Sequence, residues 1–348
     1  MFLFAYWFFL HFLISLTLIF NKRFTFYLSL LFLALMSFLY ISKNATVDLV
    51  VYYTQFAYEF AWFEPGWSYL SLALSKLFSG DPYLVHLSYQ FISLLLIFFL
   101  AKKFFAEYAL PKSNYYFLIP AISLTIYTMF YFLGSQNVLR QFLASILCLY
   151  AFYFGQNNRW FLAFAFYLIS ITVHISSCIL IPIYLILTLR TNQKIITYSL
   201  SFAVGALLIL LMLKFFSEHP AVETYTTIQD AVEYKSRITY FKFIILSFSL
   251  FFTHFLFTKT SEFKFNIVKK FLEFRFAIYF FALPFAFFQF WDLWTRITLI
   301  TYFIELMLLM LVVFLKASQK YRFTCALLVM SYGIAPNVME ILKSDNIY

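Results

Sequence analysis

Apolar runs of roughly 15 to 20 residues follow one another along nearly the whole chain, broken only by short polar gaps, and few folds accept that pattern. The hydrocarbon core of a bilayer is about 30 Å thick, so a helix rising 1.5 Å per residue crosses it in about 20 residues. Runs of this kind lie near 1–20, 24–41, 83–101, 114–133, 139–155, 160–173, 175–189, 195–215, 239–257, 271–290, 296–315 and 323–341. Of the 348 residues, 64% are hydrophobic, 52 are Phe and only 11% are charged. A soluble domain could not bury that much apolar surface in one core. Within hydrocarbon every backbone N–H and C=O needs an internal partner, which leaves α-helices as the spanning element for runs this long. The pattern predicts an all-α, polytopic integral membrane protein with roughly ten to twelve transmembrane helices. The two runs between 160 and 189 are short and read equally as half-spans or a tight hairpin. No repeat of 20–50 residues, low-complexity tract or linker interrupts the chain, so residues 1–348 read as a single integral-membrane domain.

Charge orients that domain. When the gaps are alternated between the two faces, most of the 25 Lys and Arg fall on one side, among them Lys22–Arg23, Lys102–Lys103, Lys269–Lys270 and Lys316, Lys320 and Arg322. By the positive-inside rule that side is the cytoplasm. Most of the 15 Asp and Glu fall on the other. Both termini come out on the outer face in this reading. The first run, MFLFAYWFFLHFLISLTLIF, lacks a basic leader and a small-residue cleavage site, and reads as a span rather than a removable signal. Two long segments near 42–82 and 216–238 become external loops, whereas the cytoplasmic gaps stay short. Loop length concentrated on one face marks the working face. The net charge of +10 is spread over cytoplasmic gaps with no basic stripe, so no nucleic-acid partner is expected. Cys148, Cys178 and Cys325 fit neither a metal site nor a disulfide framework and read as small buried residues.

A few cations escape to the outer face: Arg140, Arg237 and Arg296, with His174 beside them. Cations held at helix ends on that face call for an anionic partner. Arg140 and Gln141 follow Asn137 at the outer start of a predicted helix, where free backbone N–H groups already favour anions. A guanidinium there matches phosphate oxygens with two parallel hydrogen bonds. The competing reading, an arginine snorkelling to the interface, has the helix dipole against it. Arg296 repeats the arrangement after Trp291-Asp292-Leu293-Trp294-Thr295, where a bridge to Asp292 is the alternative. Arg237 lies in the polar 216–238 segment and is a candidate closing residue.

The 42–82 segment supplies acids among aromatics: Asp48, Tyr52, Tyr53, Glu59, Glu64 and Trp67. Asp48 and Tyr52 share a face if the segment is helical. Pro65 disfavours a helical Glu64 and fixes it at a helix start or break. Carboxylates beside flat rings suit sugar binding, with an interfacial aromatic belt as the bland alternative. His174 sits in the turn between two apolar runs and is able to exchange a proton near neutrality; a plain interfacial histidine is the alternative. His11, His86 and His254 read as structural.

Several motifs are missing. The chain has no D-x-D, Walker A, G-x-S-x-G, H-E-x-x-H or G-x-G-x-x-G sequence. Nucleotide energy, metal catalysis and cofactors are therefore not expected. The substrate should arrive already activated, within the membrane.

These residues resemble a family. D-L-V-V-Y-Y followed by F-E-P-G within 48–66, N-x-x-R-Q at 137–141, V-H-I-S-S at 173–177 and T-R-I-T-L-I-T-Y-F at 295–303 succeed one another as in the EpsG-like group of O-antigen and exopolysaccharide polymerases of the Wzy type. The resemblance implies a metal-independent, inverting glycosyltransferase of the membrane-embedded GT-C type in a bacterial inner membrane. It implies undecaprenyl-diphosphate-linked oligosaccharides as substrates, joined on the periplasmic face, and a Wzz-type chain-length regulator as a partner beside membrane lipid. On that reading Arg140 and Arg296 stabilise the leaving pyrophosphate, with Arg237 assisting, and Tyr52, Tyr53, Asn137, Gln141 and Trp67 bind substrate. Asp48, Glu64 and His174 are the candidate bases; a carboxylate is preferred, with His174 orienting substrate. Two other functions fit similar groups. An O-antigen ligase or other lipid-carrier transferase would pass the glycan to a different acceptor. A flippase for lipid-linked oligosaccharides should line a path to the cytoplasm with cations.

Overall fold

The computed structural model describes residues 47–58, 63–106, 139–181, 194–216 and 266–288, with scattered positions from 183 to 298. Every regular element among them is helical: α1 Val47–Tyr58, α2 Pro65–Leu77, α3 Pro82–Ala106, α4 Leu139–Gln156, α5 Trp160–Val173, a 3₁₀ turn Ile175–Leu180, α6 Lys194–Phe216 and α7 Asn266–Phe287. The all-α expectation holds for the described residues. Helices α3 to α7 fall on five of the expected apolar runs. Among the described residues no helix is long and apolar enough to cross a membrane. Helix α5 is one reason: its 14 residues reach only about 21 Å at 1.5 Å per residue. The expected spans at 1–20, 24–41, 114–133 and 323–341 lie outside the described residues.

The segment expected as a long external loop, 42–82, is largely helical. Pro65 stands at the first position of α2, where its missing N–H costs nothing and its fixed φ suits a helix. Glu64 precedes it as the cap residue in extended conformation, φ −53° and ψ 147°, so the expectation of a helix start at Glu64 holds. Ser79 and Gly80, both at positive φ, turn the chain from α2 into α3. Asp81 then caps α3 by accepting from the Tyr83 and Leu84 N–H groups at 2.8 and 3.2 Å. Charge and turn residues alone therefore leave a reader unable to separate a loop from a pair of short helices here.

The chain divides into two compact units between Ser177 and Cys178. In the first, α4 is buried nearly all round, from Leu139 through Phe152, and forms the central post. Helix α5 returns along it through a turn at Asn158 (φ 58°). The Ser170 hydroxyl donates to the Ala144 carbonyl at 3.0 Å and lies 2.9 Å from Cys148 Sγ, which fixes the α4–α5 register. Cys148 is thus a small buried residue, as its sequence context implies; Cys325 lies outside the described residues. The Tyr150 hydroxyl donates to the Leu96 carbonyl and ties α4 to α3. Trp67 of α2 stacks on Tyr89 of α3 with ring centroids 4.2 Å apart and packs with Tyr52 and Phe56 of α1. Offset aromatic pairs of this kind add about 0.5–1.5 kcal/mol beyond the area they bury.

In the second unit α6 and α7 pack closely at Gly205, where a Cβ would come within 2.2 Å of the Phe281 carbonyl oxygen. Tyr198 stacks on Phe280 beside that crossing, at 5.3 Å between centroids. Arg275 of α7 is fully buried and donates from Nη2 to the Leu250 carbonyl at 2.7 Å.

Candidate functional site

Three residues far apart in sequence meet at one carboxylate. Glu64, at the N-terminal end of α2, places Oε1 2.7 Å from Nδ1 of His174, the residue that ends α5. The same oxygen accepts from the Ile175 backbone N–H at 3.1 Å. The other oxygen, Oε2, accepts from Nη1 of Arg140, in the first turn of α4. All three side chains are mostly buried, at 15% exposure for Glu64 and His174 and 19% for Arg140.

The order of the helices explains the convergence. A 3₁₀ turn, Ile175–Leu180, follows His174 and opens the short run over 175–189, which the sequence leaves open to a half-span or a tight hairpin. Ser176 and Ser177 compete for backbone hydrogen bonds, and Pro182 follows, so a regular helix is disfavoured at once after His174. His174 leaves α5 in extended conformation, φ −155° and ψ 118°, with its N–H bonded back to Ser170. That break turns the imidazole and the Ile175 N–H toward the start of α2.

The guanidinium of Arg140 is held on three sides. Phe63 lies beneath it, with the guanidinium carbon 3.7 Å from the ring centroid. Its Nε donates to the Tyr52 hydroxyl at 3.4 Å. Its Nη1 is taken by Glu64. A cation near the N-terminus of a helix opposes the macrodipole, typically by 0.3–1 kcal/mol. The carboxylate, the ring face and the hydroxyl offset that cost at α4. Among the described residues Nη2 is left uncommitted.

Electrostatics fixes the protonation pattern. Burial raises the Glu64 carboxyl, but the hydrogen bond from His174, its own backbone N–H, the Ile175 N–H and the Arg140 charge together outweigh burial and lower it to about 2. Glu64 is therefore ionised at working pH and only accepts. Nδ1 of His174 must carry the proton between them. In neutral imidazole that leaves Nε2 as an acceptor, and among the described residues it makes no hydrogen bond.

The other sequence candidates separate into groups. Tyr52 belongs to the cluster, but as a buried support for Arg140 at 5% exposure. Trp67 is fully buried against Tyr89, and its Nε1 donates to Gln55 Oε1 at 3.0 Å. It offers no face to a sugar, which corrects its assignment as a substrate platform. Gln141 is buried within α4, so its expected position at an open helix start is not what the structure has. Tyr53 is half-buried, its hydroxyl 2.9 Å from Nδ1 of His86 and its ring against Tyr83. Burial, then the neighbouring Tyr83, pushes the Tyr53 hydroxyl up to about 12. His86 is buried in that contact, in keeping with a structural histidine. Asp48 lies in the first turn of α1, and its side chain is outside the described residues, as are Asn137, Arg237 and Arg296. Phe63 escaped the sequence reading because one phenylalanine among 52 carries no signal of its own.

Comparison with known proteins completes the assignment. Searches of curated proteins and of solved structures returned no match. The model of the EpsG family matches residues 25–348, nearly the whole chain and every element described above. The chain belongs to the EpsG family, a Wzy-like, membrane-associated polymerase family.

Proposed function

We propose that the protein polymerises undecaprenyl-diphosphate-linked oligosaccharide repeat units into O-antigen or exopolysaccharide on the outer face of the bacterial inner membrane, by metal-independent inverting glycosyl transfer. The observation that carries this reading is the Glu64 carboxylate bridging Arg140 and His174. It leaves one proton acceptor, Nε2 of His174, and one guanidinium nitrogen, Nη2 of Arg140, uncommitted in a single cluster. Inverting transfer needs those two functions: a base for the acceptor hydroxyl and a cation for the leaving phosphate.

The geometry moves the preferred base from a carboxylate to His174. An acid held at about 2, with both oxygens already accepting hydrogen bonds, is a weak base. Glu64 instead fixes the tautomer of His174, the orienting role of the acid in an acid–histidine pair. In the proposed step the acceptor hydroxyl oxygen attacks C1 of the donor sugar, its proton passes to Nε2, and the C1–O bond to the lipid pyrophosphate breaks. Arg140, joined by Arg296 and Arg237 on sequence grounds, takes up the charge on the departing oxygens. Tyr53 and Asp48 remain candidates for sugar hydroxyls. The reading also takes the chain to be one membrane domain of about ten to twelve spans with a GT-C-like arrangement, and a chain-length regulator as its partner. Outward-facing Phe161 and Phe164 on α5, at 83% and 61% exposure, support a lipid-contacting surface.

Purified protein incubated with undecaprenyl-diphosphate-linked repeat units tests the function by mass spectrometry of the products. Lengthened glycan on the lipid carrier is expected. Transfer to a lipid A core instead means a ligase, and movement across the bilayer without a covalent product means a flippase.

A further inference from the structure

Gly66 stands two residues after Glu64, and Thr172 stands two residues before His174. The two meet. A Cβ built on Gly66 would lie 2.4 Å from Thr172 Oγ1, 2.8 Å from Thr172 Cβ and 2.9 Å from its backbone carbonyl carbon. Only the first of these belongs to a group that rotates away, and that hydroxyl is already committed to the Ile169 carbonyl at 2.8 Å. The other two are branch-point and main-chain atoms, so any side chain at 66 must push α2 from α5. Gly66 is not at a positive φ, and no turn demands a glycine there. Its lack of a side chain is used for close approach alone.

We propose that Gly66 is a positioning residue: its bare α-carbon seats the first turn of α2 against Thr172, and that seating holds the Glu64 carboxylate on Nδ1 of His174. The inference rests on the polymerase reading above for its catalytic consequence, but not for its structural one. Pro65 between Glu64 and Gly66 makes the link stiff, because its ring fixes φ. A shift at 66 is thus passed to 64 rather than absorbed. The hydrogen bond being guarded is 2.7 Å long, and a displacement of a few tenths of an ångström in the wrong direction weakens it. Arg140 sits on the opposite oxygen of the same carboxylate, so the shift loosens both contacts together. Once the Nδ1 proton is no longer held by Glu64, the imidazole exchanges tautomers and Nε2 is a free acceptor for only part of the time.

The test compares wild type, Gly66→Ala and the double variant Gly66→Ala/Thr172→Gly, which moves the missing Cβ from one helix to the other. Full-length protein is solubilised with ¹⁵N-labelled histidine, and the His174 signals are assigned with His174→Gln. Wild type should show one tautomer with Nδ1 protonated. Gly66→Ala should show exchange between both nitrogens, with kcat for lipid-linked repeat units down by about 100-fold and KM little changed, since a misplacement of about 1 Å has that scale of effect. The double variant, which relieves the Oγ1 and Cβ contacts but leaves the carbonyl carbon at 2.9 Å, should shift the populations back toward the Nδ1-protonated tautomer and recover at least tenfold of the lost kcat. A Gly66→Ala protein that is folded and keeps both the wild-type tautomer and wild-type kcat overturns the proposal. So does a folded double variant that recovers neither. If Gly66→Ala fails to insert, Thr172→Val, which removes the hydroxyl but keeps the branch and leaves Gly66 in place, must keep the wild-type tautomer; its loss contradicts the seating. A wild type that makes no polymer but shows the tautomer pattern and its loss in Gly66→Ala upholds the positioning and rejects the polymerase reading.

Discussion

Arg140 separates a structural arginine from a working one at the scale of a single side chain. Its stacking on Phe63 and its bond to Glu64 would serve either role, but only a working arginine needs the free Nη2. Arg140→Ala should insert normally and lose polymer formation by on the order of 10²–10³ in rate, the usual effect of removing a charged donor to developing charge. Arg140→Lys should recover only part, because an ammonium has no planar fork. Quantifying products in membranes with matched protein levels checks both, and near-normal polymer from Arg140→Ala would remove the anion-binding role. Glu64 makes a second, independent expectation about stability. Its folded-state carboxyl is lowered from 4.5 to about 2. A depressed acid contributes stability that is fully present above 4.5 and lost as pH falls toward 2. Thermal unfolding of solubilised protein should therefore decline across that window, and Glu64→Gln should flatten the decline. An unchanged pH slope in Glu64→Gln would mean the pairing is not made in solution. Much of this cluster was open to sequence reading as a set of residue types: Glu64 before a proline, Arg140 at a helix start, His174 between two runs. Their meeting was not, because Glu64 lies 76 positions from Arg140 and 110 from His174, and no local periodicity encodes such distances. The base assignment turns on the same fact, since only the observed pairing shows that both Glu64 oxygens already accept hydrogen bonds and that its carboxyl is lowered to about 2.

Helices were most legible where hydrophobicity was least ambiguous. The run expected at 160–173 is α5, Trp160–Val173, because nothing polar interrupts it before Ser170. The helices within 42–82 are hard to read for the opposite reason. In α1, Thr54 and Gln55 interrupt the aromatics, and in α2 three serines, Ser68, Ser71 and Ser75, are buried. Ser68 and Ser71 find partners that sequence does not reveal, the Phe63 carbonyl at 3.1 Å and the Tyr89 hydroxyl at 2.8 Å. The helix-start signal at Pro65 was present and correct, but short helices carry too few turns to stand out from loop. In the second unit the contact between α6 and α7 makes its own prediction. Gly205→Ala forces a Cβ into the Phe281 carbonyl, so the helices must separate. Overpacking of this kind costs typically 1–3 kcal/mol. The variant should unfold at lower temperature in detergent than wild type, while Ala206→Ser beside it should not; equal unfolding of Gly205→Ala and wild type would contradict the close crossing.

For the whole molecule, orientation and chemistry have to agree. By the positive-inside rule, the proposed topology has the α1–α2 region on the outer face and the α4–α5 turn on the cytoplasmic one. In a cysteine-free background, Lys76→Cys should react with an impermeant maleimide from outside, and Asn157→Cys only after the membrane is opened. The reverse pattern would put the cluster on the wrong side for a periplasmic polymerase. In the proposed mechanism arginines supply the positive charge that a metal would otherwise bring, so polymer formation should persist in EDTA; complete loss restored by Mg²⁺ or Mn²⁺ would point to a different class of transferase. The central claim is that His174, oriented by Glu64, takes the acceptor proton in glycosyl transfer. Its most direct test is the single-turnover rate of chain extension, measured on purified wild type, His174→Gln and Glu64→Gln with one lipid-linked repeat-unit substrate. The account predicts a product ladder from wild type, none detectable from His174→Gln, and a residual, slower ladder from Glu64→Gln, in which the histidine is present but no longer fixed. A His174→Gln protein that extends glycan at the wild-type rate would contradict it.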